Sequence, residues 1–113
     1  MTIQTTTLAE NGPTLTSVGI GTWAWGDTLF WGYGNDYGVS QVRDAFAATL
    51  DAGVSFFDTA EVYGLGESES LLGRFMKEFG RPAQIATKYF PVPWRFTSQS
   101  VSDALTASLK RLQ

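Results

Sequence analysis

The spacing of apolar positions changes from segment to segment along the chain, and each change marks an element. Residues 5–8 and 14–18 are rich in β-formers and flank Ala9-Glu10-Asn11-Gly12-Pro13, whose Asn11-Gly12 pair favours the positive φ angles of a tight turn. A short hairpin is predicted to open the chain. Residues 18–23, Val-Gly-Ile-Gly-Thr-Trp, read as a buried strand with glycines where something large approaches the backbone. A long loop rich in glycine and aromatics, residues 24–39, follows. Val42, Ala45, Phe46, Ala48 and Leu50 then share mainly one face of a helix, which Ser40 can cap and Gly53 can stop in a left-handed conformation.

Residues 54–57 are apolar except for Ser55, as expected of a parallel strand covered on both faces, and the run ends at Asp58. Leu71, Leu72, Phe75, Met76 and Phe79 keep helical spacing from a start near Ser68 to a stop at Gly80, with Pro82 just beyond. Residues 83–87 form a third short strand that runs into Lys88. After a loop through Pro91, Pro93 and Trp94, a third helix carries Val101, Leu105, Leu109 and Leu112. The order is therefore hairpin, β, α, β, α, β, α, with strand ends near Trp23, Asp58 and Lys88, 35 and 30 residues apart. This is the spacing of repeated βα units in an α/β fold. In such units a ligand sits beyond the C-terminal strand ends, whether the sheet stays open or closes into a barrel. Asp58, Tyr63 and Lys88 all fall there.

Composition narrows the chemistry. A chain of 113 residues with 43% hydrophobic and 17% charged positions is that of one globular domain rather than a disordered segment. It contains no cysteine and no histidine, which removes disulfides, thiol nucleophiles, ordinary zinc sites and every histidine acid or base; no metal is expected. A net charge of −3 without any basic run indicates neither a nucleic-acid partner nor an anionic membrane surface. The start lacks the pattern of a signal peptide, and no stretch approaches the roughly 20 apolar residues of a membrane span. A cytoplasmic protein acting on a small molecule is the expectation.

A lysine and an aspartate at neighbouring strand ends form an ion pair in a partly dry site, each keeping the other charged. A phenol titrates near 10 in water and becomes a useful proton donor only when an adjacent ammonium, here Lys88, stabilises its phenolate. Tyr63 so placed suits delivery of a proton to a carbonyl oxygen as hydride reaches the carbon. Each residue also has a plain structural account: Asp58 as a loop cap, Lys88 as a surface charge, Tyr63 as rim packing. Trp23, Trp25, Trp31 and Trp94 fall near strand ends or in loops, where aromatics form a pocket wall or cap a core.

The run Phe57-Asp58-Thr59-Ala60-Glu61-Val62-Tyr63-Gly64, then Glu67-Ser68-Glu69 with Leu72-Gly73, and Thr87-Lys88, resembles the aldo-keto reductases. Gly19-Ile20-Gly21-Thr22-Trp23 is similar to that family's opening segment, and Ser108-Leu109-Lys110-Arg111-Leu112 to its third helix. The resemblance implies an NADPH-dependent carbonyl reductase on a (β/α)8 TIM-type barrel, with Tyr63 as proton donor, Lys88 tuning it and Asp58 holding Lys88. It also implies that the nicotinamide lies near the first strand end, with Gly21, Thr22, Trp23 and Asp58 at the cofactor. Trp23, Trp25, Trp31 and Trp94 would line the substrate side. The family's fourth catalytic residue, usually a histidine, comes from a fourth strand.

A closed barrel of this type takes roughly 200 to 250 residues or more, whereas this sequence supplies a hairpin and about three βα units. Residues 1–113 are therefore expected to be the N-terminal portion of a single barrel domain, truncated and without full activity alone. Its open sheet edge invites self-association. A noncatalytic nicotinamide-binding regulatory subunit on the same fold, or a half barrel working only as a dimer, are the alternatives. Gly19-x-Gly21-x-x-Ala24 formally fits a dinucleotide fingerprint, yet the loop reading of the next dozen residues denies it the helix that would hold pyrophosphate. Gly64-Leu65-Gly66 precedes a helix, but Glu67 and Glu69 repel phosphate there and no Gly-Lys-Ser/Thr follows.

Overall fold

The computed structural model describes residues 2–113. Strands β1 (Thr5–Thr7) and β2 (Thr14–Thr16) form the antiparallel hairpin. Its turn differs from the expectation, since neither Asn11 nor Gly12 has a positive φ. The Gly12 N–H bonds to the Ala9 carbonyl at 2.9 Å and the Leu8 N–H to the Pro13 carbonyl at 3.1 Å, so the connection over residues 8–13 closes without a left-handed residue.

Strands β3 (Ile20–Gly21), β4 (Phe56–Asp58) and β5 (Gln84–Ala86) pair in that order, all parallel, with Gly21 opposite Asp58 and Asp58 opposite Ala86. Between and after them run helices α1 (Val39–Asp51), α2 (Glu67–Phe79) and α3 (Ser98–Leu112). The first strand is shorter than predicted, because after Gly21 the backbone makes one more bond, Thr22 N–H to the Asp58 carbonyl at 3.0 Å, and then turns at Trp25. Gly19 meets its expected close approach: a Cβ there would stand 2.5 Å from the Phe56 ring. Gly21 does not, having nothing within 4 Å of that point.

Side chains alternate across the strands, and Phe57 faces the helices while Phe56 and Asp58 face the other side. Phe57 is fully buried and stacks on Phe46 of α1 at 5.2 Å between ring centroids. Phe75 and Phe79 of α2 close on the same ring at 5.7 and 5.8 Å. Together with Val42, Leu50, Leu71 and Leu72 these form the core, each such burial being worth roughly 1.5–3 kcal/mol. Phe56, on the other face, is half-buried. Gly53 and Gly80 end α1 and α2 in left-handed conformations as predicted.

The helices differ in detail from their sequence pattern. Helix α1 begins one residue before Ser40, and the Gly38 N–H is held by the Gln41 side chain at 2.8 Å rather than by a serine cap. Ala45 and Ala48 lie exposed beside the buried stripe of Val42, Phe46 and Leu50. On α3, Val101, Leu105 and Leu109 are 50%, 54% and 60% exposed, and the face that packs inward is instead that of Ala104 and Ser108. Periodicity identified an apolar stripe; which stripe meets α2 was decided by small residues that let the helices approach.

That approach is closest at Gly73, where an added Cβ would stand 2.3 Å from the Arg111 carbonyl oxygen and 2.7 Å from Leu112 backbone atoms. Gly73→Ala should therefore destabilise the fold by about 1–3 kcal/mol through overpacking. A thermal melt at the wild-type midpoint would show that α2 and α3 part without cost. No helix among the described residues is long and apolar enough to cross a membrane.

Candidate active site

The parallel register puts Asp58 at the end of β4 and Lys88 just past the end of β5, on neighbouring strands. Pairing continues beyond both ends, with Thr59 N–H on the Ala86 carbonyl at 2.8 Å and Glu61 N–H on the Lys88 carbonyl at 3.2 Å. Lys88 Nζ donates to Asp58 Oδ2 at 2.9 Å and to the Thr59 carbonyl at 2.6 Å, and reaches the Tyr63 hydroxyl at 3.5 Å. Burial, the largest single influence, pulls the Lys88 ammonium's pKa down. The hydrogen bonds and charge of Asp58 and Tyr63 outweigh it, and the net displacement is upward from the ordinary lysine value. Both side chains of the ion pair are about half exposed, so solvent screens it.

Tyr63 opens a single 3-10 turn, Tyr63–Gly66, in which Gly64, Leu65 and Gly66 all have positive φ. Gly64 is needed there because a Cβ would stand 2.6 Å from the Gly26 carbonyl oxygen. The tight turn aims the phenol back over the strand ends, where Trp23 stacks on it at 6.3 Å and 26°. Trp31 in turn meets Trp23 edge-on at 5.7 Å. Beside the phenol lies a hollow of about 660 Å³ walled by Trp23, Leu29, Phe30, Tyr33, Val62 and Tyr63. Buried Asp27 fixes that wall by accepting the N–H groups of Phe30 and Trp31 at 2.7 and 3.0 Å.

The structure thus brings together Asp58, Tyr63, Lys88 and Trp23, with Gly21 directly across from Asp58. Trp31 joins them through Trp23. Two of the predicted residues lie buried apart from this cluster. Trp25 is 8% exposed and packs on Phe57 in the core, because the chain turns inward after Thr22, and it takes no part in the wall of that hollow. Thr22 has no exposed surface; its hydroxyl bonds to the Asp58 carbonyl and to Ser68, leaving nothing for a cofactor. Trp94 is 75% exposed and borders a different hollow, of about 310 Å³, with Glu61, Phe90 and Arg95.

Sequence reasoning missed the residues that hold these loops. Glu61 accepts the Phe90 N–H at 2.8 Å and pairs with Arg95, tying the segment after β5 to the one after β4. Burial raises the Glu61 carboxyl's pKa, but those two bonds and the charges of Arg95 and Arg111 carry it below the ordinary glutamate value. In α2, Glu69 is fully buried and accepts from Thr87 at 2.8 Å and from Arg111 Nε at 2.8 Å. A signal existed: Ser68 and Glu69 stand three residues before Leu71 and Leu72, polar groups on the apolar side of a helix.

The chain matches the model of the Aldo/keto reductase family over residues 17–113. Pyridoxal reductase, chloroplastic, of Arabidopsis thaliana is 43% identical, over 90% of this chain and 31% of that protein. Aldo-keto reductase YhdN of Bacillus subtilis is 33% identical, over 96% of this chain and 34% of that one. The crystal structure of an aldo-keto reductase from Klebsiella pneumoniae in complex with NADPH superposes with a TM-score of 0.73 at 26% identity, covering 100% of this chain and 36% of that one. The chain spans about a third of the length of the curated relatives it matches.

Proposed function

Because the chain belongs to the aldo/keto reductase family, its hairpin and three βα units being part of that family's (β/α)8 barrel, we propose that it serves NADPH-dependent reduction of an aldehyde or ketone to an alcohol. Residues 1–113 would be the N-terminal portion of that barrel domain, a reading supported by the share of each relative that is matched. The carrying observation is the convergence of Lys88 Nζ on Asp58 and on the Tyr63 hydroxyl at the strand ends.

The residues present suit the nicotinamide end of the cofactor. Open space lies beside Gly21, whose missing side chain leaves room over the strand end, and Asp58 is its partner on β4. NADPH, when bound, supplies hydride to the carbonyl carbon. Tyr63 holds the carbonyl oxygen by its hydroxyl and releases the proton to it. The Lys88 ammonium, 3.5 Å away, offsets the negative charge left on the phenol oxygen, and Asp58 with the Thr59 carbonyl keeps that ammonium in place. The aromatic walls of the hollow favour a planar, apolar carbonyl compound. The relative named for pyridoxal supports an aromatic aldehyde as first assay substrate.

The direct test is NADPH oxidation with pyridoxal and a panel of aromatic aldehydes, using the product of the whole reading frame that contains this sequence. Failure to reduce any of them would overturn the proposal. Lys88→Met should lower turnover by about 10- to 100-fold and displace the pH–rate profile. The sign follows from the raised lysine value: the Asp58 contact is complete below the ordinary lysine range and is lost only as pH climbs through the raised one. The wild type therefore keeps its ammonium through neutral pH, and an unchanged profile in the variant would separate Lys88 from proton transfer.

A further inference from the structure

Asp58 and Lys88 each have a threonine as strand neighbour, Thr59 after the first and Thr87 before the second. Strand alternation turns consecutive side chains to opposite faces, so a threonine fixed on the helix side presents its neighbour at the mouth. Both threonines are fixed by the same turn of α2. Thr59 Oγ1 is 2.8 Å from the Ser68 hydroxyl, and Thr87 Oγ1 donates to Glu69 Oε2 at 2.8 Å. Ser68 also donates to the Thr22 carbonyl at 3.0 Å, which joins the end of β3 to the same point. Ser68, Glu69, Thr22 and Thr59 have no exposed surface, and Arg111 of α3 neutralises Glu69 through Nε and Nη2 at 2.8 and 2.7 Å.

We infer that the first turn of α2 is a template for the strand ends: Glu69 acting through Thr87, and Ser68 acting through Thr59, are positioning residues that set the contact between Lys88 and Asp58. The inference rests on the reductase reading for its effect on turnover, but not for its effect on the ion pair. Two consecutive helix residues hold two strands at once, so the distance between Asp58 and Lys88 is fixed by a rigid element rather than by the exposed side chains themselves. This suits a pair open to solvent, which has little strength of its own to hold position. Arg111 serves as the counter-charge that lets Glu69 accept the threonine hydroxyl while fully buried.

Thr87→Val tests the inference because it keeps shape and β-propensity while deleting the hydroxyl, and Glu69 keeps Arg111; Thr87→Ala makes the same deletion should valine not be accommodated. Two quantities are read in the full-length protein: the titration of Lys88 by NMR of labelled lysine, assigned with Lys88→Met, and turnover with NADPH and an aromatic aldehyde. In the variant Lys88 should lose its proton at lower pH than in the wild type, as its contact with Asp58 loosens. Turnover should fall roughly 10- to 100-fold with the cofactor KM little changed, and Thr87→Ser should restore both. A wild-type Lys88 titration in Thr87→Val, or a Thr87→Ser variant no better than the valine one, would overturn the inference and leave the reductase reading intact. A lowered Lys88 titration with undiminished turnover would support the positioning and count against Lys88 in the reduction.

Discussion

Tyr63→Phe should remove most turnover, a fall of about 10²–10⁴-fold, while NADPH binding stays close to that of the wild type. The substitution is conservative in every respect but one. A phenyl ring keeps the stacking of Trp23 at 6.3 Å, the turn of Gly64 and Gly66, and the wall of the hollow. Lys88 keeps Asp58 at 2.9 Å and the Thr59 carbonyl at 2.6 Å, so the pair survives without the hydroxyl. What disappears is the proton donor. The loss should therefore fall on kcat, measured by NADPH oxidation at saturating aldehyde, with a fluorescence titration reporting unchanged cofactor affinity. Near-normal kcat would eliminate Tyr63 as the acid, whatever its position.

Arg111→Met should cost about 3–5 kcal/mol of folding stability, because it strands the Glu69 carboxylate in a site with no exposed surface. Methionine retains an apolar stem beside Gly66, where the Arg111 Cδ stands 3.0 Å from the point a Cβ would occupy, so packing is largely spared and charge is the variable. The exposed pair of Arg81 and Asp51, at 2.6 Å, supplies the internal comparison. Arg81→Ala should change stability by no more than about 1 kcal/mol, since water already solvates both partners. Urea midpoints at unchanged m-value read both variants on one scale. Equal losses at the two sites would mean that burial of Glu69 is not what makes its partner matter.

Features governed by neighbours in the chain were readable from the sequence. Gly53 and Gly80 stop their helices because a residue without a Cβ accepts positive φ, and that preference is local. Asp58 and Lys88 were found because apolar runs end on charged residues, and Tyr63 because it stands five residues past a strand end. Features governed by distant partners were not. Trp25 and Trp23 differ by two positions, yet one packs on Phe57 and the other stands half-exposed at the mouth, a choice made by how the chain turns after Thr22. Glu69 takes its meaning from Thr87 and from Arg111, 18 and 42 residues away. The apolar stripe of Val101, Leu105 and Leu109 keeps helical spacing, yet α3 meets α2 through Ala104 and Ser108, where Gly73 admits its backbone.

The parallel register of β4 with β5 has one further consequence. Asp58 lies opposite Ala86, two residues short of Lys88, and side chains alternate with every step along the strand. A misfolded form in which β5 slid by a single position would swing the amine into the greasy layer around Phe57 and leave a threonine facing the opening. Correct alignment of the two strands is thus reported by one short amine-to-carboxylate distance, which makes the mouth of the sheet a built-in gauge of how faithfully the chain has folded.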